Sequence, residues 1–139
     1  MSKKLLTLEY EYDFNLIGIS CHEKDYRLCW HINQALHIDL IKIDSLEIYL
    51  PKEKIKCFFS LFLYEDEENQ RSIYLLSNRS SYGLLIPEQK QTDYFIIVKG
   101  SFMQGEKSPF LKDLKKIPII LALFDIDPNK LKSKKNLIF

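Results

Sequence analysis

Glu88 and Asp93 lie five positions apart on either side of a polar turn that opens at Pro87. Two carboxylates could act as a general acid and base, or could accept donors from a polar ligand, if the loop folds back far enough for them to converge. The competing reading is architectural: Glu88 caps backbone amides or pairs with an arginine such as Arg27 or Arg79, and Asp93 fixes the start of the strand that follows. That reading is favoured, because Asp and Pro in turns commonly act on their own backbone. A binding site, if present, is expected to combine Glu88, Asp93 and Tyr94 with Asp25, Tyr26 and Arg27.

Other candidate chemistry is thinner. Cys21 falls at a predicted helix start, where the dipole favours thiolate, but adjacent His22 points to another face of a helix and supplies no base. Cys21, His22, Cys29, His31, His37 and Cys57 include no CxxC or HxxxH spacing, so neither a metal nor a cofactor is expected. The glycines at 18, 83, 100 and 105 form no phosphate loop or dinucleotide fingerprint. Lys130, Lys132, Lys134 and Lys135 could touch nucleic-acid phosphates. A run of this kind more commonly forms a solvated tail, and no paired aromatic motif for RNA readout accompanies it.

These residues must be positioned by a single domain, residues 1–139, with a basic tail at about 128–139. Apolar residues make up 46% of the chain and charged residues 28%, the balance of a globular protein with a real core rather than of a disordered one. The net charge of +1 hides an asymmetry: residues 1–99 carry 12 basic and 15 acidic groups, residues 100–139 carry 8 and 4. Three unpaired cysteines and the absence of a signal-length apolar run point to the cytoplasm, with no membrane contact.

Leu6 to Leu16 alternates apolar and polar residues, predicting a half-buried strand with a bend near Asp13 that continues into Leu16-Ile17-Gly18-Ile19. Ser20-Cys21-His22-Glu23 has capping-box spacing, predicting a helix from about Cys21 to Leu36 with Trp30 anchoring it to a sheet. Strands are predicted at Leu46–Leu50, at Cys57–Tyr64 paired as a hairpin with Ile73–Leu76, and at Tyr94–Val98. Ser108 and Pro109 are the predicted cap and first residue of a second helix running to Ile117, followed by an apolar strand at Ile119–Phe124. Leu137-Ile138-Phe139 is expected to pack on the sheet or on a partner subunit.

This order predicts an α+β fold: a mostly antiparallel sheet of about five to seven strands, two helices on one face, and a ferredoxin-like outline with an extra hairpin. Ile86-Pro87-Glu88 followed by Thr92-Asp93-Tyr94 resembles the signature of the IPExxxVDY family of small bacterial proteins, with Thr92 in place of the valine. The resemblance brings no assigned activity with it. With enzyme motifs absent and eight Tyr and nine Phe to accommodate, the sequence favours a non-catalytic interaction or assembly module, with a protein partner or a homodimer. A small-ligand regulatory domain is the second reading, and an RNA-associated accessory protein the third.

Overall fold

The structure, a computed structural model, describes residues 14–100 and 102–139. Residues 6–13 of the predicted first strand lie outside the described residues. The remaining strands are β1 (Phe14–Ser20), β2 (Ile41–Leu50), β3 (Ile55–Asp66), β4 (Arg71–Ser77), β5 (Tyr94–Lys99) and β6 (Ala122–Ile126). Helix α1 (Asp25–Leu36) connects β1 to β2, and α2 (Lys107–Lys115) connects β5 to β6.

The six strands form one antiparallel sheet in the order β2-β3-β4-β5-β1-β6. The chain therefore crosses from β1 at the interior to β2 at the far edge, returns by a four-strand meander to β5, and crosses again to β6. This is the βαββαβ order with one additional hairpin, in an α+β fold.

Burial explains the order. In β1, Leu16, Ile17 and Ile19 are fully buried, as are Phe95, Ile96, Ile97 and Val98 in β5. Strands apolar on both faces must occupy the interior of a sheet covered on both sides. Both helices lie on one side, where Leu28, Ile32, Leu114 and Ile117 pack against Ile17, Ile19, Leu75 and Ile96. The opposite side is covered by irregular chain: Leu85 and Ile86 from the 78–93 loop, and Leu131 and Leu137 from the tail, meet Leu16, Phe59, Leu76 and Ile97. Much of the aromatic and aliphatic surplus in the strands is thus absorbed without a second helical layer. Leu137 packs on the sheet, and Phe139 sets its ring edge-on to Tyr74, with the Lys99 ammonium 4.4 Å from the Phe139 ring centre.

Several predicted boundaries move. The Ser20 capping box does not form: Ser20 is the last residue of β1, opposite Ala122, and its carbonyl accepts the Leu121 amide at 2.8 Å. The helix starts at Asp25, four residues later than the predicted start at Cys21. Trp30 does not anchor the helix and is 58% exposed. Leu28 and Ile32 face the sheet, and Trp30, two positions from each and so about 200° around the helix, is turned outward. Helix α2 starts at Lys107, ahead of the predicted Ser108 cap. Glu106 draws its first turn back, accepting from Arg71 Nη1 at 2.6 Å and from the Met103 amide at 2.8 Å. Pro109 then occupies the first turn, where helical amides have no intrahelical partner, so its missing N–H costs little. The last strand is shorter and later than predicted, Ala122–Ile126, because Ile119 and Ile120 instead pack as irregular chain on the helix side.

Candidate functional site

The loop from Asn78 to Asp93 carries the proline and both singled-out carboxylates, and its organiser is Asn78. This residue follows directly on β4 and is fully buried. Its Nδ2 donates to the carbonyls of Gln89 (3.0 Å) and Thr92 (2.8 Å), and its Oδ1 accepts the Ile86 amide (2.7 Å). Its backbone is bonded to both ends of the loop as well, the amide donating to the Asp93 carbonyl and the carbonyl accepting the Leu85 amide, each at 2.9 Å. One short side chain therefore satisfies three backbone groups that a buried loop would otherwise leave unpaired.

Asp93 fixes the other end of the loop. Oδ2 accepts the Cys21 amide at 2.8 Å and Oδ1 accepts Arg79 Nε at 2.6 Å, while the Asp93 amide donates to the Ile19 carbonyl at 2.8 Å. The carboxylate thus joins β5 to the turn after β1, and Arg79 extends further to the Lys90 carbonyl through Nη2 at 2.8 Å. Thr92 lies over Gly18, where a Cβ would stand 3.0 Å from Thr92 Oγ1 and 2.8 Å from Ile126 Cδ1. That approach favours glycine at position 18, since any Cβ there would push the Ile126 and Thr92 side chains aside.

Glu88 is committed elsewhere. Its carboxylate accepts the Ser133 amide at 2.8 Å and the Ser133 hydroxyl at 3.0 Å, holding the tail against the loop, while Asn136 Nδ2 donates to the Leu85 carbonyl at 2.9 Å. Partial burial alone would raise the Glu88 pKa, but the hydrogen bonds from Ser133 and neighbouring amides outweigh it and hold the carboxyl below its ordinary value. Its partner is neither Arg27 nor Arg79: Arg27 pairs with Glu23 at 3.2 Å, and Arg79 with Asp93.

The six residues singled out for binding therefore divide. Asp93 and Tyr94 line a depression of about 390 Å³ together with Cys21, His22, Glu23 and Arg79. It adjoins a larger one of about 720 Å³, which shares Ser77, Arg79 and Tyr94 and reaches Asp25, Lys24 and Phe58. Tyr26 and Arg27 line a separate groove of about 440 Å³ on the outer side of α1 with Trp30 and His31. Glu88 lines none of these three. Tyr94 donates its hydroxyl to the Glu23 carbonyl at 2.7 Å, and burial, with nearby acids adding to it, pushes that phenol far above its ordinary range. Asp25 accepts its neighbour Tyr26's amide at 2.8 Å and lies 3.9 Å from Lys42 Nζ.

Cys21 sits in the turn before α1, not at its first residue, and is 2% exposed; burial raises its thiol pKa, opposite to what a nucleophile requires. Cys29 is pushed up to about 11 by burial and by Asp25 and Asp39, and its thiol donates to the Leu40 carbonyl at 3.6 Å. In the tail, Lys130, Lys132 and Lys135 are exposed, whereas Lys134 is half-buried. No helix among the described residues is long and apolar enough to cross a membrane.

Sequence reasoning missed Asn78, Ser133 and the Arg71–Glu106 contact. Asn78 carried a faint signal, as a polar residue capable of an Asx turn directly after an apolar strand. No family model matches this chain, and no curated protein matches it.

Proposed function

We propose that this chain is a cytoplasmic, non-catalytic interaction or assembly module that binds a protein surface through the outer face of α1. The observation that carries this reading is the pair Tyr26 and Trp30, one helical turn apart and 66% and 58% exposed. Large aromatics of these two types dominate binding energy at protein interfaces, where they bury broad area at little entropic cost. Here they flank a groove whose other walls are Arg27 and His31, and the Trp30 ring already stands edge-on to His31 at 5.0 Å. An aromatic pair rimmed by polar donors has the composition of an interface centre and its rim.

The singled-out loop supports the reading from the other direction. Asn78, Glu88 and Asp93 are engaged in backbone and tail contacts, which supports reading residues 86–94, the stretch that resembles the IPExxxVDY signature, as scaffolding. The partner is either a second copy of the chain or another protein. The test is sedimentation equilibrium from micromolar to millimolar concentration, joined to cross-linking in native cells, for the wild type and Trp30→Glu. The expected result is an association or cross-linked product that the variant loses while its melting temperature is unchanged. A monomer throughout, with cross-linked products identical for both proteins, overturns the reading.

A further inference from the structure

The helix side of the sheet is only partly roofed. Beyond the start of α1, Ser45 of β2, Phe58 and Ser60 of β3 and Ser77 of β4 line an open depression. Phe58 of β3 points to this side, four residues from Phe62 of the helix-side core, and is 59% exposed. The larger depression lies here, bounded by Lys24 and Asp25 before and at the start of α1, by Arg79 after β4, and by Phe58.

We propose that this cleft binds a small organic phosphate monoester bearing a flat ring, with Arg79 and Lys24 holding the phosphate and Phe58 supporting the ring. The charge left unmatched at the rim is positive, that of Lys24. The acids at the rim are already matched: Asp93 by Arg79 and the Cys21 amide, Asp25 by Lys42, and Glu23 by Arg27. Lys24, by contrast, has no ion-pair partner among the described residues. Arg79 is fixed through Nε and Nη2 by Asp93 and the Lys90 carbonyl, yet its side chain is half exposed and its remaining donors have no partner among the described residues. A guanidinium tethered in this way loses little freedom on accepting a phosphate, which it can bind through parallel N–H donors.

The floor adds neutral donors. The hydroxyls of Ser45, Ser60 and Ser81 border the cleft and have no hydrogen-bond partner among the described residues. The depression, about 720 Å³ and open to solvent, has room for a small metabolite, and the exposed Phe58 ring in its lining supplies an offset-stacking surface for a planar group.

The experiment is a ¹⁵N NMR titration of the full chain with phenyl phosphate, with inorganic phosphate and phenol as separate arms. Phenyl phosphate is expected to produce saturable shifts at the amides of Lys24, Ser60, Ser77 and Arg79, with higher affinity than inorganic phosphate and none of these shifts from phenol. Lys24→Glu is expected to weaken binding by about tenfold or more through loss of a charged contact, with its melting temperature unchanged because Lys24 is exposed. Phe58→Ala should bring phenyl phosphate down to the affinity of inorganic phosphate. Absence of saturable shifts at these amides, or binding unaffected by Lys24→Glu, overturns the site. An unchanged preference for phenyl phosphate in Phe58→Ala overturns the ring subsite. Neither variant alters Trp30, so this result is independent of the partner test.

Discussion

Asn78→Ala is the sharpest test of how the 78–93 loop is held. The substitution removes three hydrogen bonds and leaves behind the Gln89 and Thr92 carbonyls and the Ile86 amide. A buried group stripped of its partner costs about 1–3 kcal/mol. The Thr92 and Ile86 groups are enclosed, whereas the Gln89 carbonyl is only partly buried and can recruit water, so the sum should be about 4 kcal/mol. For 139 residues, an unfolding entropy of about 2.1 cal/mol/K per residue translates this into a fall in melting temperature of about 14 °C. A domain of ordinary stability, about 5–15 kcal/mol, tolerates such a loss only narrowly. Urea denaturation should show a lower midpoint at an unchanged slope, and the Ile86 amide should lose hydrogen-exchange protection. Asn78→Asp should recover none of the loss at neutral pH, because it sets a carboxylate oxygen against two carbonyls. A cost below about 1 kcal/mol for Asn78→Ala, or an Ile86 amide as protected as before, would refute the reasoning.

Two further predictions concern acid stability and backbone geometry. Glu88 is held low because the hydrogen bonds from Ser133 and neighbouring amides outweigh burial, and Glu106 chiefly by its hydrogen bond from Arg71. A depressed folded-state pKa contributes stability that is present above the ordinary value of 4.5 and disappears as pH falls through the lower folded value. Glu88→Gln and Glu106→Gln should therefore lower the urea midpoint at neutral pH and converge with the wild type under strong acid; a difference that persists there would contradict the linkage. Gly100 and Gly105 both have positive φ, +103° and +79°, but a Cβ on Gly100 would meet Arg71 Cβ at 2.7 Å and the Gln70 carbonyl at 2.8 Å, whereas one on Gly105 meets nothing within 4 Å. Gly105→Ala should cost about 1 kcal/mol and Gly100→Ala at least twice that, measured by thermal melts; equal costs would show that the clash is absent.

Local pattern made the interior strands legible. Tyr94–Val98 and Leu16–Ile19 are apolar on both faces and became the covered strands β5 and β1. The hairpin of β3 and β4, and the two crossovers that place both helices on one side, follow from element order under the usual rules of connection. Helix phase was less legible, because Trp30 and Leu28 define competing stripes and only the shape of the sheet beneath selects the aliphatic one. The helix starts were set by remote partners. Ser20 remained in β1 because β6 pairs with it, and α2 began early because Glu106 reaches Arg71. The candidate site failed to assemble as expected for the same reason. Glu88 and Asp93 share one loop, but that loop crosses from the tail side of the sheet to its helix side, and nothing in its own sequence announces Ser133 or Cys21 as the respective partners.

The placement of β1 has a consequence for how the molecule comes into being. Gly18 is bordered by Phe95 on one flank and Phe124 on the other, so neither neighbour of this earliest described strand exists until the segments up to Lys99 and Ile126 have left the ribosome. The β2–β5 meander can assemble progressively from adjacent segments, whereas Leu16, Ile17 and Ile19 must stay unsatisfied throughout that interval. Closure of the nascent domain is thus a late, long-range event, and the greasy segment vulnerable during biosynthesis ends up fully enclosed.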